Sequence, residues 1–116
     1  MSIRRIGAGP RMSQAVIHGD TVYLAGQVSR DPVAKSVAEQ TKAILAQLDA
    51  TLAEAGSDKT KLLSASIWLS DISTFDEMNK VWDGWVSNGN APARATVEAK
   101  LAAPQFKVEI GVIAAL

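Results

Sequence analysis

Residues 36–56, SVAEQTKAILAQLDATLAEAG, constrain the fold more than any other stretch, because both ends carry their own stop signals. Ser36 and Glu39 have the spacing of a capping box, in which each side chain accepts an N–H that the first turn leaves free. Val37, Thr41, Ile44, Leu45, Leu48, Leu52 and Ala55 recur at steps of three and four, which draws one apolar stripe along a helix. Gly56 supplies the left-handed residue that ends it. A helix with one apolar stripe has to bury that stripe on another element, so the rest of the chain must provide a surface.

Strands provide it. IRRI at 3–6 reads as a short first strand, broken by GAGP at 7–10. In AVIHGDTVYLAGQ (15–27) two β-rich runs flank Gly19-Asp20, the signal of a tight hairpin with glycine first. His18 reads as a half-exposed residue at the mouth of that turn. LLSASIWLSD (62–71) alternates, with Ala65, Ile67 and Leu69 facing a helix and Ser64, Ser66, Trp68 and Ser70 opposite. A solvated sheet face usually displays Lys, Glu or Arg, so this uncharged face is expected to lie under a partner subunit.

TFDEMNKVWDGWVSNG (74–89) reads as a second helix. Thr74 and Glu77 repeat the capping-box spacing, and Phe75, Met78, Trp82, Trp85 and Val86 share a face, with both tryptophans expected in the core. PARATVEAK then alternates Ala95, Val97 and Ala99 against Arg94, Thr96 and Glu98. In the last strand Val108, Ile110 and Val112 oppose Lys107 and Glu109. The order ββ(β)αβαββ predicts an α+β domain of two layers, with two helices on one sheet face and the other face free to assemble.

Composition narrows the functions. The 116 residues fit one domain, 1–116, and a 47% hydrophobic content is enough for a core. Twelve basic residues balance twelve acidic ones, which argues against nucleic acid as a partner. The absence of cysteine removes disulfides, thiolate metal sites and thiol nucleophiles, and one histidine cannot build a zinc site alone. No signal-like or membrane-length apolar run is present, so no membrane association and a cytoplasmic location are expected.

If strands 94–100 and 107–113 pair antiparallel, Arg94, Thr96, Glu98 and Glu109 share one face. Arginine cannot shed its charge, so Arg94 needs a partner. Glu98 or Glu109 could serve in a structural ion pair; a bound carboxylate could serve equally well, accepting two parallel N–H bonds from the guanidinium. GAGP is no phosphate loop, the serines of 64–70 have no histidine partner, and Asp71 and Asp76 sit where carboxylates commonly start helices.

The chain resembles the Rid family, also called YjgF/YoaB-like proteins. SQAVIHGDTVYLAGQ resembles that family's N-terminal hairpin, EQTKAILAQLDATLAEAGS with LLSASIWLSDISTFDEMNKVW its centre, and PARATVEAKL with KVEIGVIA its C-terminal signature. RMSQAVIH and MNKVWDGWV look closest to the YoaB-like branch. The resemblance implies a chorismate-mutase-like fold, a homotrimer with clefts between subunits, and hydrolysis of enamines and imines of amino acids, such as 2-aminoacrylate, to 2-keto acids and ammonia, with no cofactor or metal.

By the same resemblance Arg94 matches the arginine that grips the substrate carboxylate, and Glu109 the acid that activates water and returns a proton to the amine. Gly26 matches a backbone position touching the substrate. Asn79 matches an asparagine of the second helix, although an exposed helix residue is an equal reading. Thr96 matches a residue whose carbonyl can hold the water. Three positions depart from the pattern: Met12 stands where tyrosine is common, Ala25 where serine is, and Gly111 where another acid is. These thin the polar surround, and leave an alternative: a trimeric binding or regulatory protein for small carboxylates or keto acids with little turnover.

Overall fold

A computed structural model describes residues 1–116. Its order is β1 (Ile3–Ile6), β2 (Ala15–His18), β3 (Thr21–Leu24), α1 (Val37–Ala55), β4 (Leu62–Leu69), α2 (Phe75–Trp85), β5 (Ala93–Glu98) and β6 (Val108–Ala115), with single 3-10 turns at Lys59–Lys61 and Ile72–Thr74. The strands form one mixed sheet in the order β1-β2-β3-β6-β4-β5, and both helices pack on one face of it. This is the two-layer α+β architecture expected.

Helix α1 is built as its sequence says. Ser36 and Glu39 exchange both capping bonds, and Gly56 at φ 87° closes the far end, where the Ser57 N–H reaches back to the Leu52 carbonyl. Ile44, Leu48 and Leu52 are fully buried among the inward residues of the sheet. Each contributes on the order of 2 kcal/mol by leaving water. The β2–β3 turn at Gly19-Asp20 forms as expected, with Gly19 alone at positive φ (61°).

Two expectations fail, each for a physical reason. Helix α2 spans only Phe75–Trp85, and Thr74 makes no capping bond to it. Asp71 caps the preceding 3-10 turn instead, while the Thr74 hydroxyl donates to the Asp71 carbonyl. The Glu77 carboxylate accepts from the Ala38 N–H, at the start of α1. Within α2, Met78 and Trp82 are buried as expected, but Phe75 is 36% exposed and Trp85 only half-buried.

The second correction concerns β5. It does not pair with β6; it lies at the sheet edge and runs parallel to β4, while β6 sits between β3 and β4. The β4–α2–β5 segment is therefore a βαβ crossover, and two neighbouring strands joined through a helix must run parallel. Register then sets the faces. Arg94 lies beside Ala65 and Thr96 beside Ile67, on the helix side, whereas Ala93, Ala95 and Val97 join Ser64, Ser66 and Trp68 on the open side.

Strand β4 brings no charge to the open face. Tyr23 and Val97 are 47% and 51% exposed on it, around Ser64, Ser66, Trp68, Gly111 and Ile113. Glu109, beside Trp68, is the charge set into that surface.

Candidate functional site

The two charged residues singled out in the sequence fall on opposite sides of the sheet. Glu109 lies in β6 next to Trp68, on the open face. Arg94 lies in β5 beside Ala65, with its guanidinium carbon 5.3 Å from the centre of the Trp82 ring and 5.8 Å from that of Phe75, both in α2. Thr96 follows Arg94, and Glu98, on the same side, accepts from the Ile72 N–H. The grouping of Arg94, Thr96, Glu98 and Glu109 on one face is thus overturned, and with it a structural ion pair between Arg94 and Glu109 inside the chain.

Glu109 is held in a compact backbone setting. Gln27 and Ile110 exchange two backbone hydrogen bonds, at 2.8 and 3.0 Å, which draw the Ala25-Gly26-Gln27 segment onto β6. The Glu109 carboxylate then lies directly over Gly26, and a Cβ added there would stand 3.2 Å from its Cδ and would overlap Oε2. Glycine there lets the carboxylate lie in this position by close approach rather than by a special φ, and a larger residue would push the glutamate end aside. Gly111 is less constrained, since a Cβ there would meet the Gly26 Cα at 3.5 Å and Trp68 at 3.8 Å, ordinary contact. Ala25 is half-buried and donates its N–H to the Gln14 carbonyl, while Met12, in the β1–β2 connection, is 49% exposed.

A set of glutamines that the sequence reading passed over fixes this region. The Gln27 side chain is buried, donating to Gln14 Oε1 at 3.0 Å and accepting from Gln47 Nε2 at 3.2 Å. Gln47 also binds the Val28 carbonyl and the Arg30 N–H. One heptad earlier on α1, Gln40 is buried; it donates to the Ala34 and Gln105 carbonyls and accepts from the Lys107 N–H. The signal was present as two glutamines seven apart, beside the apolar stripe, where a solvated helix face would more often carry charge.

Arg94 has a different setting. Its contacts are with aromatic faces, an arrangement that suits a guanidinium and leaves its in-plane N–H donors free. It borders an open cavity of about 690 Å³ together with Asn79, Trp82, Lys80, Asp76 and Asp83. The Asn79 Oδ1 and Thr96 Oγ1 are buried without a hydrogen-bond partner. An unpaired buried polar atom costs about 1–3 kcal/mol, so both oxygens are acceptors that a donor could engage. The structure therefore places Asn79 with Arg94, and Gly26 with Glu109.

Comparison with known proteins identifies the family. YoaB of Escherichia coli K12, named a RutC family protein, is 46% identical over 116 residues, the full length of both chains. A rat protein named 2-iminobutanoate/2-iminopropanoate deaminase is 35% identical over 107 residues, 88% of this chain and 77% of its own. The crystal structure of a YjgF-family protein from Neisseria meningitidis superposes with a TM-score of 0.96 at 48% identity, covering 99% of this chain and 95% of that one. The family model described as Endoribonuclease L-PSP matches residues 2–116, and on these matches the chain belongs to the YjgF/Rid family.

Proposed function

We propose that this protein hydrolyses enamines and imines of amino acids to 2-keto acids and ammonia, in clefts between subunits of a homotrimer. Arg94 of one subunit would face Glu109 of the next. The observation that carries this reading is the placement of the two residues on opposite sheet faces, where one chain cannot apply both to one small molecule. The exposed apolar surface around Tyr23, Trp68 and Val97 supports assembly through the face that holds Glu109. The relative named as a deaminase supports the chemistry.

The steps follow from what each group offers. Arg94 binds the substrate carboxylate through two parallel N–H···O bonds and orients C2, contributing about 1.5–3 kcal/mol. An enamine first takes a proton from solvent at Cβ and becomes the iminium; that proton is returned to solvent at the end of the cycle. Glu109 accepts a proton from water as the water oxygen bonds to C2, and the C=N electrons return to nitrogen. The same carboxyl then gives its proton to the amine; as the C–N bond breaks and ammonia leaves, the hydroxyl proton passes to the Glu109 carboxylate and the carbonyl forms. General acid–base catalysis of this kind is worth about 10²–10⁴ in rate. The Gly26 backbone, against Glu109, would line the cleft, and Asn79 and Thr96 would gain partners with the ligand in place.

The test generates 2-aminoacrylate with a pyridoxal-phosphate lyase and traps surviving imine with semicarbazide. Lower trapped signal in the presence of the protein, lost in Arg94→Ala with the oligomer intact, is the expected result. An unchanged signal across several amino-acid imines removes the enzyme reading.

Binding of small carboxylates or keto acids without turnover is the second reading. It is favoured by the surround of Glu109, where Gly26, Gly111 and Trp68 stand beside the carboxylate and Ala25 brings no hydroxyl. Calorimetric binding of 2-keto acids by protein that fails the trapping assay would select it, provided Arg94→Ala abolishes that binding.

A further inference from the structure

On the outer side of the helix layer, away from the open sheet face, α1 and α2 leave a groove of about 440 Å³ between them. Lys42 and Ala46 of α1 line one wall, Lys80, Gly84 and Trp85 of α2 the other, and Lys59 of the 3-10 turn closes one end. Its volume lies within the range of small-molecule sites.

Three features of this groove are not accounted for by the fold. Its lining carries three lysines against a single carboxylate, Asp49, in a chain whose net charge is zero. That carboxylate is already engaged, since Asp49 Oδ2 accepts from the Trp85 indole N–H at 2.9 Å. Gly84 stands in the last turn of α2 with ordinary negative φ, and a Cβ added to it would meet nothing within 4 Å. Neither conformation nor packing within the chain asks for glycine there, and glycine weakens a helix. What it does provide is a floor onto which a flat group can settle, with Ala46 opposite.

The aromatic residue of the groove is held by its neighbours. Trp85 is pinned by Asp49 at its indole nitrogen, covered by Lys59 Nζ at 5.4 Å from its ring centre, and packed on Trp82 with 5.4 Å between ring centres. An aromatic wall, a glycine floor and a rim of ammonium groups together select an apolar body carrying negative charge.

We propose that this groove is a second binding site, for a small organic anion with a flat apolar body. The body would lie on Gly84 and Ala46 against Trp85, and the anionic group would be held by Lys42 and Lys80. The site is distinct from the cavity at Arg94, although Lys80 borders both, and it does not depend on the imine chemistry. Because it faces away from the open sheet face, assembly through that face leaves it accessible.

The test uses the intact, ¹⁵N-labelled protein and 1-anilinonaphthalene-8-sulfonate, an aromatic sulfonate, as the probe. The chain has three indole N–H signals. Saturable shifts of Trp85 that persist in Arg94→Ala, with Trp68 unmoved, are expected, and a shift of Trp82 alone, which lines the Arg94 cavity, overturns the proposal. Affinity should fall by at least about tenfold in Gly84→Leu, in the double variant Lys42→Gln/Lys80→Gln, and for the uncharged parent N-phenyl-1-naphthylamine. Absence of binding, a shift of Trp68 in place of Trp85, or equal affinity in the lysine double variant overturns the proposal. If Gly84→Leu does not fold, the double variant decides. A protein that binds the probe but fails the imine-trapping assay keeps this site and loses the deaminase reading; the reverse outcome does the opposite.

Discussion

Replacing Gly26 with alanine puts a methyl group where the Glu109 carboxylate lies. The added carbon would stand 3.2 Å from Glu109 Cδ and 3.4 Å from Cγ, and would overlap Oε2 outright. Carbon atoms rest at about 3.5–4.0 Å, so the end of the glutamate has to retreat by roughly 1 Å. Moving a catalytic group that far costs on the order of 10²-fold in rate, or about 2.7 kcal/mol of barrier. Stability should hardly change, within about 0.5 kcal/mol, because Gly26 is exposed, its φ is not positive, and the displaced group is the flexible end of a side chain. The initial rate in the semicarbazide-trapping assay measures the loss, and thermal unfolding checks the fold. Gly111→Ala is the comparison: its Cβ meets Gly26 and Trp68 only at 3.5–3.8 Å and does not press on the carboxylate, so it should cost less than Gly26→Ala. A Gly26→Ala protein within about twofold of the parent rate would refute the role given to the Glu109 carboxylate.

Arg94→Met should lower kcat/KM by about 10- to 150-fold, the equivalent of the charged bonds it removes, while stability changes little because the lost contacts are with ring faces. Arg94→Lys should not restore the rate, since an ammonium cannot present the paired donors. Gln40→Ala removes three hydrogen bonds to loop backbone at a buried position and should destabilise by about 2–3 kcal/mol in urea unfolding. The Ser36 N–H and hydroxyl and the Lys35 N–H hold the Glu39 carboxyl below its ordinary value of 4.5, and hydrogen bonds from Thr60 and Ser73 do the same for Asp58 and Asp71, whose ordinary value is 3.8. A carboxyl lowered on folding stabilises the native state above its unfolded pKa, and that contribution disappears as pH falls through the folded pKa. The unfolding temperature should therefore decline as pH drops below 4.5, and Glu39→Gln should make that decline shallower.

Much of the fold could be read from the sequence wherever the information is local. The α1 helix needed only Ser36, Glu39, Gly56 and the apolar stripe between them, and the β2–β3 hairpin only Gly19-Asp20. The placement of β5 is a different matter. Alternation in 93–98 separates two sets of side chains, but it does not say which set points inward, and pairing with a distant strand decides that. The apolar set, Ala93, Ala95 and Val97, turned out to face the open side, and the charged set the helices. A strand–helix–strand order at 62–98 was the available sign of a parallel crossover. The capping box at Thr74 misled because Asp71 lies three residues earlier and captures the turn. For the candidate site, residue types were legible and their grouping was not: Arg94 goes with Asn79, and Glu109 with Gly26, because each pair is joined by tertiary packing.

The central claim is that Arg94 and Glu109 act together only across a subunit boundary. Arg94→Ala and Glu109→Gln should each lose most of the activity alone, and subunits of the two unfolded and reassembled together test the claim directly. At equal mixing in a symmetric ring, about one quarter of the clefts regain both native residues, so the trapping assay should recover about a quarter of the parent rate. Recovery of no activity from mixed oligomers, with both variants shown to co-assemble, would contradict the account.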